Sequence, residues 1–318
     1  MGIDDYTTAP LTGCVADAEA MASRLEKNSD ASPNFHVKRL VSPGWIDRHA
    51  LREGLDELFS NAQGADLVFY FSGHGGQSRT GAFLATCELD EVPMDHLLTL
   101  ANQSPAVTTT IILDCCFSGD AGNNPGLQSA QIAEQFRKSI GVLAEGVTVL
   151  AASRASQVSM EMGGHGVFTR LLLDGLDGGA TDHTGIVTPL SLYGYASPAL
   201  GAWEQRPVFK SHVTEPPRLR LGPPWLDVQL LRDLPNHFAE QSSRVAMTPA
   251  HEGDGRPIPY GTGTTEQRQY DYFKRLRNAG LLATDDEEDL YFVAMHGREV
   301  YLTTLGMYFW RRANEGKV

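Results

Sequence analysis

Two side chains in this sequence have the chemistry to break an amide bond together. His74 ends the run Asp66-Leu-Val-Phe-Tyr-Phe-Ser-Gly-His-Gly-Gly76, and Cys116 lies in Thr110-Ile-Ile-Leu-Asp-Cys-Cys-Phe-Ser-Gly119. A cysteine nucleophile needs its thiolate, a neighbour that handles the leaving-group proton, and donors for the developing oxyanion. Cys116 is the candidate nucleophile and His74 the candidate acid/base, with the main-chain N–H groups of Gly75 and Cys116 as candidate oxyanion donors. Glycines at 73, 75, 76 and 119 are expected to let the main chain approach a substrate closely.

Such a pair works only if the elements around it bring it together. The apolar runs Leu67 to Phe71 and Ile111 to Leu113 are continuous rather than alternating, the pattern of strands covered on both faces in an α/β sheet. Chemistry in such sheets gathers beyond the carboxyl ends of the strands. Val15, Ala18, Met21, Ala22 and Leu25 predict a helix over 11–26, followed by a strand over 35–41 and a helix over 46–62. Further on, a helix is expected over 127–140, a strand over 147–152, a loop over 153–164, a helix over 167–176 and a last strand over 206–211. Helices and strands alternate, as parallel βαβ units do.

Glu215 to Pro224 is proline-rich and reads as a boundary. We therefore divide the chain into a domain at 1–222 that carries the pair, an irregular linker at 223–264 and a small C-terminal α+β interaction domain at 265–318. In the last, a helix is expected over 265–282, a hairpin of 290–294 with 299–302 about Gly297, and a final helix over 304–312. The unit has a winged-helix-like order, with Tyr308, Phe309 and Trp310 expected in its core.

A chain of 318 residues with 42% hydrophobic composition can bury one sizeable core plus a small second unit. The formal charge of -13 opposes phosphate-backbone binding, so no nucleic-acid partner is expected. The sequence has four cysteines, and Cys115 and Cys116 are adjacent, which argues against a disulfide framework and for a reducing, cytoplasmic setting. We find neither a signal peptide nor an apolar stretch of membrane length, so no membrane association is expected.

The motifs Ser-Gly-His-Gly after one strand and Asp-Cys-Cys-Phe-Ser-Gly after the next resemble the paired signatures of the caspase and metacaspase peptidases. Their forty-two-residue separation is close to the roughly fifty of the caspase pattern. The resemblance extends through Gly2-Ile-Asp-Asp-Tyr6, Ala16-Asp17-Ala18 and Ala151-Ala-Ser-Arg-Ala-Ser-Gln157, with Glu161 and His165-Gly-Val-Phe-Thr169. It spans about residues 1 to 215. It implies a caspase-like, mostly parallel sheet flanked by helices and a cysteine endopeptidase acting on a protein or peptide substrate. It also implies nucleophile status for Cys116 rather than Cys115. Two departures are Phe117, where many relatives have His, and a first strand, ahead of Gly2, that is expected to be short or missing.

Substrate preference is read from Asp114, two residues before the nucleophile, and from Glu161, whose position resembles that of an acidic residue in the metacaspase S1 pocket. Two carboxylates favour a basic P1 side chain. Cleavage after Asp would instead need pocket arginines, for which Arg154 and Arg170 are the nearest in sequence. By the same resemblance Ser153 and Gln157 line the pocket. Arg137 and Lys138 mark a candidate autoprocessing loop.

No organic or metal cofactor is expected. Calcium activation, known among metacaspases, has no clear ligand set here, and Asp285 to Asp289 reads as a solvated turn. Cys115 is expected to be a small buried residue, and His165 a loop residue before its helix. Bacterial relatives imply a role in defence or regulated cell death, by activating a partner effector, with the C-terminal unit meeting a sensor or effector protein. The competing reading is a catalytically inactive caspase-fold scaffold for protein–protein contact; a third is a regulator that binds DNA through the C-terminal unit.

Overall fold

Strand β1 (Asp66–Ser78) is the axis of the fold. Leu67, Phe69 and Phe71 point to one face of it and Tyr70 to the other, all buried, so helices cover both faces. Each large apolar side chain buried in this way contributes roughly 1.5–3 kcal/mol. A computed structural model of the chain describes residues 1–78, 81–116, 141–152, 161–162, 165–201, 207–224, 226–252, 263–285 and 289–318. They form two compact units, Met1–Pro223 and Pro224–Val318.

In the first unit β2 (Gly81–Ala85), β3 (Glu91–Pro93), β4 (Thr108–Cys116), β5 (Val147–Ala151) and β9 (Val208–His212) complete a six-stranded sheet in the order β3-β2-β1-β4-β5-β9. Strands β1, β4 and β5 are parallel. The edges are antiparallel: β2 folds back on β1, and β9 runs against β5. The sheet is therefore mixed, with its parallel part at the centre. Short pairs β6 (Glu161–Met162) with β7 (His165–Gly166), and β8 (Ile186–Val187) with β10 (Arg220–Leu221), lie outside it.

Helix α1 (Cys14–Glu26) buries Ala18, Met21, Ala22 and Leu25 against one face of the sheet, together with the Val167–Asp174 helix. It starts three residues later than the periodicity suggests, because the Asp4 carboxylate accepts from the main-chain N–H groups of Cys14 and Val15 and so caps it from outside the helix. On the opposite face α2 (Arg48–Ser60), capped by Asp47, buries Leu51, Leu55 and Phe59. Helix α3 (Met94–Gln103) joins it there.

The expected strand over 35–41 is not a ladder strand. Only Val41 makes a bridge, to Gly2, which also bridges Ser72 of β1. Strand character is a property of pairing, and among the described residues the segment meets a neighbouring strand only at Gly2. The helix after β7 ends earlier than expected and widens into a π-helical turn over Gly175–Gly179. The 127–140 helix and most of the 153–164 loop lie outside the described residues.

The stretch expected as a linker is partly structured. It carries helices Val228–Arg232, Leu234–His237 and Pro249–Glu252 and strand β11 (Arg244–Ala246), and it packs within the second unit. There β11, β12 (Leu282–Thr284) and β13 (Glu299–Leu302) form an antiparallel sheet in the order β11-β13-β12. The 290–294 arm of the expected hairpin is a helix, Leu290–Met295. Asp289 caps it, and the buried residues Leu290, Val293 and Ala294 follow helical spacing. On the final helix, Thr304–Asn314, Phe309 and Trp310 pack on the core, and Trp310 Nε1 donates to the Phe238 carbonyl. Tyr308, expected in the core, is 45% exposed beside the Arg311 guanidinium, because it lies on the outer face of this amphipathic helix.

Candidate active site

The parallel register of β1 and β4 runs without a break from Asp66↔Thr108 to His74↔Cys116. His74 and Cys116 are therefore direct neighbours on the last rung of the parallel ladder, on strands that pack about 4.8 Å apart. Beyond that rung β1 turns to pair with β2, beginning at Gly75↔Leu84. Gly75, the first oxyanion candidate, follows His74 on this continuation, and the second, Cys116, closes β4. The Cys116 side chain, Gly119, Ser153, Gln157, Arg154, Arg137 and Lys138 lie outside the described residues, as does the side chain of Glu161, whose main chain pairs with Gly166 in the β6–β7 hairpin.

His74 is fixed from three sides. Its main-chain N–H donates to the Tyr6 hydroxyl at 2.6 Å, the Tyr6 ring lies 4.4 Å from the imidazole, and Nε2 bonds to the Ala9 carbonyl at 2.7 Å. A carbonyl only accepts, so Nε2 carries the proton in this bond and Nδ1 is left for a second partner. Ala9 presents its carbonyl from φ 56, a left-handed conformation that costs alanine roughly 1–2 kcal/mol. Burial raises the Tyr6 pKa, which keeps its hydroxyl protonated, although the bond from His74 opposes the shift.

At Gly73, Gly75 and Gly76 the missing side chain makes room for the protein's own packing. A Cβ on Gly73 would overlap the Tyr6 hydroxyl, one on Gly76 would meet the Phe83 ring, and one on Gly75 would come within 3.1 Å of Cys115 Sγ. Cys115 is buried in the core, 2% exposed.

Two rungs before the pair, Ser72 lies opposite Asp114, and a buried polar cluster gathers there. Asp114, 6% exposed, accepts from Thr169 Oγ1 at 2.6 Å, and Tyr70 Oη completes the chain at 2.6 Å from the same threonine. From α1, Asp17, 2% exposed, accepts from the Gly166 N–H and the Ser72 hydroxyl and sits 2.7 Å from His165 Nδ1. Burial and then the Asp114 charge push the Asp17 pKa up to about 6, against the lowering by His165 and Gly166. Burial also pushes the Cys14 thiol up to about 12, although a bond with Ser72 opposes it. Thus Cys14 is held as a thiol, and two carboxylates share one buried site.

Tyr6, Asp17 and Thr169 enter the sequence analysis only within the motifs that carry the resemblance, and Ser72 only within its strand run and the Ser-Gly-His-Gly motif; none is given a site role there. Asp17 was the legible one: it sits on the buried stripe of α1 with Ala18, Met21 and Leu25, where a carboxylate has no packing reason to be. His165, expected as a loop residue, is on β7 and is tied to that carboxylate. Arg170 faces outward, paired with Asp174 at 3.4 Å and half exposed, away from the cluster. Among the described residues no three His, Cys, Asp or Glu side chains converge as metal ligands, and no helix is long and apolar enough to cross a membrane. In the second unit Asp285 is held below the usual carboxylate range by Arg244.

A family model described as a caspase domain matches residues 1–216. Among solved structures, a Geobacter sulfurreducens protein is similar at a TM-score of 0.50 and 19% identity, over 70% of this chain and 95% of that one. Caspase-1 from Spodoptera frugiperda is similar at a TM-score of 0.49 and 12% identity, over 70% and 88%. Among curated protein sequences none matches significantly.

Proposed function

The chain belongs to the caspase-domain family, and from that premise we propose that it is a cysteine endopeptidase whose working pair is Cys116 and His74. The observation that carries the reading is the rung His74↔Cys116, which sets the two residues side by side at the carboxyl end of the parallel strands. In the proposed reaction the Cys116 thiolate attacks the scissile carbonyl, and the N–H groups of Gly75 and Cys116 receive the oxyanion. The C–N bond breaks as the His74 imidazolium gives its proton to the leaving amine, which leaves a thioester on Cys116. Water then attacks the thioester and His74 takes its proton; the carboxylic acid departs and the thiolate is restored.

For P1 we propose arginine or lysine. Two buried carboxylates support this, Asp114 two residues before Cys116 on β4 and Asp17 of α1 beside Ser72, where a guanidinium gains charge-assisted, fork-like bonds. Glu161, Ser153 and Gln157 join the pocket on the strength of the family resemblance. In the cell we propose cytoplasmic cleavage of a partner effector in bacterial defence, with the second unit meeting a sensor or effector protein. N-terminal capture proteomics of wild type against Cys116→Ala would identify the substrate.

A peptide library tests the activity. We expect cleavage after Arg or Lys that is lost in Cys116→Ala. A strict requirement for Asp at P1 would overturn the pocket proposal. Absence of any cleavage, with Cys116 inert to electrophiles, would favour the scaffold reading.

A further inference from the structure

The buried carboxylate of Asp17 is held by a residue outside the working pair. Three groups donate to it: the Gly166 N–H at 3.3 Å and the Ser72 hydroxyl at 3.5 Å, both to Oδ2, and His165 Nδ1 at 2.7 Å, to Oδ1. The imidazole bond is the short one. An ionised carboxylate only accepts, so Nδ1 carries the proton in this bond.

Strand β7 meets Asp17 twice, because His165 and Gly166 follow each other and both donate to it, while Met162↔His165 and Glu161↔Gly166 tie them to β6. The hairpin fixes the imidazole through its main chain. The His165 side chain is 20% exposed, against 3% for that of Asp17.

The other groups around this carboxylate are acidic or neutral. Asp114, bonded to Thr169, faces it from β4, the Tyr70 and Ser72 hydroxyls from β1, and the Cys14 thiol from its own helix. Of these groups and His165, only His165 can be a cation, and even neutral it aims an N–H at the charge. Burial and the Asp114 charge push the Asp17 pKa up to about 6, and the His165 bond is the largest influence against them. Without it the same burial and the same neighbour would carry the titration toward neutrality.

We propose, resting on the reading of Asp17 as a P1 carboxylate, that His165 is a positioning residue for P1 specificity, whose Nδ1–H holds Asp17 as an anion turned to receive a basic side chain. The geometry also sets which oxygen is offered. His165 takes Oδ1, whereas both donors to Oδ2 are long, so Oδ2 is the oxygen that a guanidinium or ammonium meets.

The test uses the full chain and two fluorogenic peptides that differ only at P1, arginine against its uncharged isostere citrulline. The ratio of their kcat/KM values cancels the titration of Cys116 and His74 and any loss of folded protein. In wild type we expect the ratio to be high at pH 8 and to fall as pH drops through about 6, because protonated Asp17 no longer attracts a cation. In His165→Leu, which keeps the bulk and removes the donor, the midpoint of that fall should rise by at least about one pH unit. The ratio at pH 7 should drop at least fivefold, through KM, with kcat for citrulline within twofold of wild type. His165→Asn, whose amide N–H can stand where Nδ1 stands, should recover most of the ratio. A ratio and midpoint unmoved in His165→Leu, or equal losses on both peptides, would overturn the proposal and leave the P1 reading in place. No preference for arginine in wild type would overturn the P1 reading, and this proposal with it. Should His165→Leu fail to fold, nitrogen-15 NMR of histidine-labelled wild type decides: we expect a protonated His165 Nδ1 at pH 8, and an unprotonated one refutes the proposed role.

Discussion

Replacing Asp17 by Asn separates the electrostatic account of the buried cluster from simple packing. In the folded protein this carboxyl has its pKa pushed up to about 6, whereas in the unfolded chain it titrates near 3.9. A raised pKa means that ionisation is harder in the native state, so Asp17 costs stability progressively as pH rises from about 4 to 6. Linkage gives a cost of about 1 kcal/mol at pH 4.5 and about 3 kcal/mol at pH 7.5. Asn cannot ionise and escapes this cost, but as one acceptor oxygen it cannot serve His165, Gly166 and Ser72 together, a loss of about 1–1.5 kcal/mol at either pH. Denaturant unfolding of both proteins at the two pH values is the assay, because the difference between them cancels groups common to both. We expect the stability of Asp17→Asn relative to wild type to improve by about 2 kcal/mol from pH 4.5 to pH 7.5. A relative stability that is flat across that range, or that falls, would refute a desolvated carboxylate beside Asp114.

Asp17→Asn should also cut kcat/KM for an Arg substrate by tenfold or more while leaving a neutral P1 substrate within a factor of about two, which paired fluorogenic peptides would show. Tyr6→Phe removes the acceptor for the His74 N–H and should cost about 1–3 kcal/mol in thermal or chemical unfolding, with kcat reduced more than KM. Gly73→Ala should destabilise by about 1–3 kcal/mol, and adding Tyr6→Phe should recover part of that because the hydroxyl is the nearest obstacle; a strictly additive double mutant would contradict the packing account. Trp310→Phe should lower second-unit stability by about 1 kcal/mol through loss of the bond to Phe238, measured by the shift of its unfolding transition.

The strands that carry His74 and Cys116 were legible because both are continuous apolar runs that end in a chemically distinctive residue. Their register was not, because it arises from the sheet as a whole. The same limit applies to Phe35 to Val41, which has strand composition but among the described residues bridges only at Val41. In 290–295 the β-prone Leu-Tyr-Phe-Val misleads, whereas the Asp289 cap and the buried spacing at 290, 293 and 294 are the signals that decide. The role of Asp17, quoted only as part of a motif, was not legible for a related reason. A carboxylate on an apolar stripe stands out only once that stripe is known to face a polar pocket, and this one faces Ser72 and the β6–β7 hairpin. Strand β2 and the antiparallel direction of β9, itself expected as a last strand, were invisible to a βαβ reading, which has no means of seeing a chain that doubles back after its site.

The central claim is that His74 activates Cys116 across one rung of the sheet. Its most direct measurement is the pH dependence of Cys116 alkylation by an arginine-bearing peptide electrophile, located by mass spectrometry, in wild type and in His74→Ala. We predict rapid, specific modification of Cys116 in wild type near neutral pH and a rate at least a hundredfold lower in His74→Ala, with both proteins equally folded. Equal rates in the two proteins would contradict it.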